Sequence, residues 1–484
     1  MKRILSLVLA GLMLIGCLSA CNKKEPEKNP NDAVDGTEQE SVLPDKDWEG
    51  RELKVMACVN DLVGNIIENS DLTDPVGYEV YKRNTYLEEK YNFYITCKAA
   101  DVSTHPSDLV RTEAYVGESS YDLILDSIEN MKDALAQFLY ADLAELEYID
   151  WDAEGWLTEA NDSLDIMGYR FLCTGDANLY EKSGAVLMYY NRQIMTSITE
   201  EDIRDVALSG NWTMEKMYEL MQLAAREDPT TGGITVYGLV HSNNEAFYNY
   251  LATGYGMNII TKDQDGNLSF SFDNSSTMEN TISAIDDVLK FYCDETTTYS
   301  QRSFYSDLKA ESLFLQNRSL FMPYLLCEMK TWRDSDIEYG VLPLPKANAT
   351  AEKYGSAYYT GDTQFFVIPF YAKDKDFSSF ALQALMENSG TLTHVYIEEQ
   401  CKIRGSYESK DYDLITLALS NFVYDLGAVF NWGAIKTWIF VDRYDDNQAI
   451  QSLPVGGVNN FATSWAEKKD LAYYELNEFL MHFA

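Results

Sequence analysis

TGDANLYEKSGAVLMYYNRQI, residues 174–194, is the stretch on which the fold reading turns. Its second half, from Gly184, is an apolar run with β-branched and aromatic residues that stops at Asn191-Arg192. That is the pattern of a buried strand running into a polar connection. A helical region follows, then Gly210-Asn211-Trp212-Thr213 and a second strong helical pattern. A core strand delivering the chain into a second helical region is what a hinge between two lobes looks like in sequence. The competing reading is an ordinary strand-to-helix joint inside one domain, since short joints are the rule between packed elements.

Working outward, 484 residues correspond to two or three domain-sized units. Apolar residues make up 46 % and aromatics 13 %, ample for large cores. The net charge of −39 excludes nucleic acid as a partner and direct adhesion to anionic lipid. Beyond Cys17 and Cys21 the cysteines are Cys58, Cys97, Cys173, Cys293, Cys327 and Cys401, none paired at short spacing. They read as small buried hydrophobes. The 4 histidines form no HxH or HExxH, so neither a metal site nor a cofactor is expected. With no phosphate loop and no GxSxG elbow, no enzymatic motif stands out.

Residues 1–20 have the layout of a secretory signal: Lys2 and Arg3, then an apolar run from Ile4 to Gly16 too short to span a bilayer. Leu18-Ser19-Ala20-Cys21 resembles the lipobox of bacterial lipoproteins, which implies cleavage before Cys21 and lipidation of its thiol. Cys17 is the weaker alternative. Removing residues 1–20 takes away Lys2 and Arg3 and no acid, so the charge becomes −41. Residues 21–47 are polar and cannot bury enough to offset ordering entropy, so they form a flexible tether. It holds the body roughly 25–30 Å from the lipid on average.

The next region alternates. Glu52–Val59 reads as a strand, Tyr78–Tyr91 as a helix, Phe93–Lys98 as a strand, Ser107–Val116 as a helix and Tyr121–Asp126 as a strand. Such alternation gives a parallel sheet with helices on both faces, and ligands of such sheets bind beyond the carboxyl ends of strands. Asn60, Asp61, Asp126 and Ser127 sit at those ends, where ordinary loop polarity is the competing explanation. Later, Thr213–Ala225 reads as a helix capped by Thr213 or Asn211. Tyr237–Val240 reads as a strand with His241 at its end. Asp263-Gln264-Asp265-Gly266-Asn267 has its glycine misplaced for a calcium loop and reads as a hairpin turn. Trp151 and Trp156 suit either a core or the face of a sugar ring.

Several segments, in order, resemble the extracellular solute-binding proteins of bacterial ABC importers, in the maltose- and oligosaccharide-binding-like group. They are Val186-Leu187-Met188-Tyr189-Tyr190-Asn191-Arg192, then Gly210-Asn211-Trp212-Thr213-Met214-Glu215, and Tyr339-Gly340-Val341-Leu342-Pro343-Leu344-Pro345. A subgroup pattern adds Thr174-Gly175-Asp176, Tyr424-Asp425-Leu426-Gly427 and Asn431-Trp432-Gly433. The resemblance runs from about Trp48 to about Trp432. It implies an α/β, two-lobed, periplasmic-binding-protein-like fold of type II with a three-segment hinge, each lobe a mainly parallel sheet flanked by helices. Crossings are expected near Tyr189-Tyr190, Met322-Pro323 and Ile368-Pro369. Residues 48–188 and 323–366 then form one lobe, and 189–322 and 367–484 the other. It implies a monomeric receptor, lipid-anchored on the outer face of the cell membrane, that captures a small solute, sugar favoured, and passes it to an ABC transporter permease. Candidate ligand contacts are Asn60, Asp61, Asp126, Asp176, His241, Trp332, Asp362 and Trp432. The alternative is a secreted carbohydrate-active hydrolase, because paired carboxylates are compatible with so acidic a chain.

Overall fold

Strand β1 (Arg51–Ala57) alternates its side chains between two cores: Leu53, Val55 and Ala57 face one, Met56 the other. This period of two is what a strand buried on both faces must show. β2 (Phe93–Ala99) and β3 (Leu123–Ser127) lie parallel on either side of β1. The structure is a computed structural model that describes residues 41–67, 73–101, 104–242, 257–301, 307–332, 334–358, 363–402, 409–435, 443–445, 450–452 and 459–483.

A second sheet forms around β4 (Ala185–Asn191), buried at every residue. Further along come β5 (Arg226–Glu227), β6 (Ile234–Ser242), a hairpin of β7 (Ile260–Lys262) and β8 (Leu268–Phe270), β9 (Thr298–Gln301), β10 (Ser319–Leu325), β11 (Tyr339–Leu342) and β12 (Ala357–Tyr358). The order is β11-β4-β10-β6-β5, with β12 also on β4 and β9 also on β6. β6 is parallel to β9 and β10, while β4 is antiparallel to β10, β11 and β12. The second sheet is therefore mixed. β13 (Gln364–Val367) then returns to the first sheet, antiparallel to β3, giving the order β13-β3-β1-β2. The fold is α/β with two sheets.

Sheet membership moves the expected crossings. Cys173 pairs with Phe366 of the first sheet, while Ala185 already belongs to the second. The first crossing is thus Thr174–Gly184, ahead of the strand rather than inside it at Tyr189-Tyr190. β10, with Met322-Pro323, lies wholly in the second sheet, so the return falls between Tyr358 and Gln364. Residues 185–188 and 323–358, assigned to the first lobe from sequence, supply β4, part of β10, β11 and β12 of the second sheet. The physical reason is that doubly buried strands carry the same apolar signature in either sheet. Helix Lys375–Glu387, assigned to the second lobe, packs Phe377, Phe380 and Leu385 into the first-sheet core. Helix Gly390–Lys402 carries Leu392 beside Val80 and places Ile397 in the larger core, which includes residues of both sheets.

Local signals held where they were strong. The Asp263–Asn267 turn joins the β7–β8 hairpin, its Asp263 carboxylate accepting from the Asp265 and Asn267 amides at 2.9 Å each. Thr213 caps the helix Met214–Ala224 through the Lys216 amide. A second small hairpin, β14 (Arg443–Asp445) with β15 (Ile450–Ser452), follows, and the described chain closes with helix Phe461–Leu480. Among the described residues no helix is long and apolar enough to cross a membrane.

Candidate functional site at the junction of the two sheets

In the first sheet the carboxyl edge is Ala57 of β1 and Ser127 of β3, with Gln364 opening β13 opposite Ser127. The Cys58 thiol donates to Gln364 Oε1 at 2.8 Å. In the second sheet the corresponding edge pairs Ser242 with Gln301. Open α/β sheets bind ligands beyond such edges, and what links the two sheets there is the Thr174–Gly184 crossing.

That crossing is a continuous polar network. Asn178 Nδ2 donates to the Gln364 carbonyl at 2.7 Å and to Thr174 Oγ1 at 3.1 Å. Thr174 Oγ1 donates to Glu181 Oε2 at 2.6 Å, and the Tyr424 hydroxyl donates to Glu181 Oε1. Asn161 holds both the amide (2.9 Å) and the carbonyl (3.0 Å) of Thr174. Lys182 Nζ donates to the Gly175 carbonyl at 3.1 Å and lies 3.7 Å from Asp176. Thr174, Asn178, Glu181 and Lys182 are all buried. A fully satisfied buried network of this kind is rigid and intolerant of single deletions. It ties the edge of the first sheet, through Gln364, to Tyr424, which packs on Phe365 and on Tyr358 of the second sheet.

Burial pushes the Glu181 carboxyl from 4.5 up to about 7, with Lys182 and the Thr174 hydroxyl pulling the other way. The Asp425 carboxyl, held by the amides of Ile259, Ile260 and Gly427, rises to about 6, again by burial. A buried acid whose folded value is raised binds its proton more tightly when folded. Its stabilising contribution is full below the unfolded value and is lost as pH rises through the folded one. Stability is therefore expected to fall between pH 4.5 and 7, by up to about 3 kcal/mol from Glu181 at 1.36 kcal/mol per unit. Glu181→Gln should flatten this slope, leaving the part due to the other buried acids, Asp425 and Asp126 among them. Urea titrations of both proteins at pH 5 and pH 8 test it, and equal slopes in the two would refute the assignment.

The residues nominated from sequence are scattered. Asp126 is fully buried, with its oxygens taken by the amides of Ser107 (3.0 Å) and Ser127 (2.8 Å) and by Asn130 Nδ2 (2.9 Å). It braces the amino ends of helices Pro106–Ala114 and Ile128–Ala136, and burial raises its pKa in spite of those bonds. Asn60 and Asp61 open helix Asn60–Ile66 directly after β1. The carboxyl end of that helix is held by the buried Arg83, whose Nη2 donates to the Ile66 carbonyl at 2.9 Å. Asp176 belongs to the junction, accepting from Thr393 Oγ1 at 2.9 Å. His241 is buried within β6, its Nδ1 3.1 Å from the Ser242 carbonyl oxygen. Asp362 lies outside the described residues.

Both nominated tryptophans sit in cores. Trp332 is ringed by Tyr189, Tyr324 and Tyr339 and donates to Glu311 at 2.6 Å. Trp432 stacks on Phe430 at 5.0 Å. Trp156 is buried too, donating to Gln383 at 3.0 Å. Among the described nominated residues, only Asp176 lies in the junction itself. The residues sequence reasoning passed over there are Thr174, Asn178, Glu181 and Lys182. A Glu-Lys pair two residues before a buried strand was the available signal. Among the described residues no group of three or more His, Cys, Asp or Glu is placed to hold a metal ion. A cavity of about 300 Å³ beside Arg192, Tyr339 and Asp411, and a groove of about 700 Å³ beside Lys216 and Lys290, are lined by none of the nominated residues.

No family model and no curated protein matches the chain. Solved structures do match in fold. The maltose-binding periplasmic protein MalE from Listeria monocytogenes, solved in complex with maltose, is 12 % identical. It covers 88 % of this chain and 98 % of its own, with a TM-score of 0.54. UspC of M. tuberculosis is 10 % identical, covering 75 % of this chain and 88 % of its own at a TM-score of 0.50. A sugar transporter from Rhizobium etli in an open conformation is 11 % identical, covering 76 % and 87 % at 0.50. The chain has the two-lobed fold that these proteins share.

Proposed function

We propose that the protein is a lipid-anchored extracellular receptor that captures a carbohydrate between its two lobes and delivers it to the permease of an ABC importer. The observation that carries this reading is architectural. Two α/β sheets are joined by crossings, the first of which is buried and touches the carboxyl edge of the first sheet at Gln364. A rigid junction between two bodies with binding edges suits closure around a solute. The likeness in fold to a maltose-bound protein supports a sugar over other solutes. Cys21 supplies the anchor in this reading, and no chemical step is assigned to the protein.

The test is a thermal-shift screen of maltose, longer oligosaccharides and peptides against the purified protein. A ligand at 100 times its Kd stabilises the folded state by about 2.7 kcal/mol. Stabilisation by at least one oligosaccharide is the expected result. A shift with peptides and with none of the sugars would replace the solute class and leave the receptor reading standing.

A further inference from the structure

The amino-terminal edge of the first sheet, opposite the binding edge, carries an exposed apolar patch. Tyr115 is 94 % exposed and Val116 78 %, in the turn after helix Pro106–Ala114. Phe370 and Tyr371, 43 % and 37 % exposed, follow β13. The two turns form one surface. The Ser119 amide donates to the Tyr371 carbonyl at 2.9 Å, Lys373 pairs with Glu118 at 2.6 Å, and Phe370 packs edge-on against Tyr371 at 5.1 Å. Lys375 lies 4.4 Å over the Phe370 ring. Exposed aromatics gathered with lysines on one surface mark an interaction site.

The same edge is where the chain joins the body. Residues 1–40 lie outside the described structure, and Leu43 is already buried in the first-sheet core. From there Trp48 packs on Phe377 at 4.9 Å, and Arg51, which opens β1, pairs with Asp374 at 2.5 Å. Asp374 and Lys375 adjoin the Phe370–Tyr371 turn. In sequence Cys21 stands 22 residues before Leu43 and 30 before Arg51, so a lipid there would be joined to the body by a short segment of chain that leads to this edge. Tyrosine, phenylalanine and lysine are the residue types that settle at the boundary of headgroups and acyl chains.

We infer that Tyr115, Val116, Phe370 and Tyr371 rest on the outer surface of the bilayer, so that the anchored receptor stands on the amino-terminal edge of its first sheet instead of floating at the mean reach of its tether. The inference depends on the lipid anchor. The tether keeps the local lipid concentration high, which makes a weak contact effective. The acidic body directs the contact to zwitterionic rather than anionic lipid, because the whole chain carries −39.

The experiment is hydrogen exchange on the full-length lipidated chain in phosphatidylcholine vesicles, beside the full-length Cys21→Ala chain with the same vesicles. Amides of residues 114–119 and 369–373 should exchange at least about threefold more slowly in the anchored protein. The protection should disappear in Cys21→Ala and in Val116→Asp/Phe370→Ser, whose altered side chains are exposed and whose folding is checked by melting. Flotation of the wild type with vesicles without protection would overturn the contact and leave the anchor. Failure of the wild type to float would overturn both. Protection that grows with protein density at fixed lipid would overturn the inference in favour of a second copy of the chain, as would protection that persists in the double variant.

Discussion

Trp432→Ala is expected to cost the fold about 3–5 kcal/mol, the range for truncating a buried tryptophan, while the ligand affinity of the folded variant stays unchanged. The indole is only 5 % exposed. It lies nearly parallel to Phe430 at 5.0 Å and against Phe479 at 5.4 Å. Phe479 continues to Phe483, which reaches Phe138 at 4.9 Å. Trp432 is thus one end of an aromatic chain by which the carboxyl-terminal helix is held to the first-sheet side. The local backbone is committed to this packing. Asn431 adopts φ 54° and Gly433 φ 64°, and the Gly433 amide donates to Glu475 of the same helix at 2.6 Å. Urea denaturation and ligand titration of the one variant decide the matter. A tenfold loss of affinity with unaltered stability would move Trp432 from the core to the binding surface.

Why that tryptophan was nominated as a ligand contact shows where sequence reading stops. An aromatic beside Asn and Gly reads equally as a sugar platform or as a core ring in a tight turn. Only a distant partner decides, Phe479 on the carboxyl-terminal helix. The fold itself was legible because its signals are local. The alternation in β1, the Asp-Gly hairpin and the Thr213 cap each arise within a few residues. Sheet membership was not, because β4 is buried at all seven positions and so carries no face pattern to assign it. Asp126 sits at a strand end, as expected of a ligand contact, yet two helix amino ends consume its oxygens. Glu181 was not singled out in the sequence, and its buried partner Tyr424 arrives from 243 residues away.

Gly155→Ala is expected to destabilise the protein by about 3–5 kcal/mol, the sum of left-handed backbone strain and overpacking. Gly155 has φ 88°, and a Cβ built there would lie 2.0 Å from the Met386 carbonyl oxygen. That oxygen is at the end of helix Lys375–Glu387, which is buried in the first-sheet core and cannot move cheaply. The Gly155 carbonyl in turn accepts from the Asp176 amide at 2.7 Å, and a Cβ on Gly175 would stand 2.2 Å from that same carbonyl oxygen. The two glycine backbones therefore meet each other and the end of the helix at Met386, at the start of the crossing between the sheets. Gly168 isolates the two contributions. It has φ 89° but open space around its Cβ position, so Gly168→Ala should cost only the conformational part, about 1–2 kcal/mol. Denaturation midpoints of the two variants give the difference directly. If they lose the same stability, the close approach at Gly155 contributes nothing. If Gly155→Ala loses more, the excess measures how tightly the helix end is pressed onto the junction.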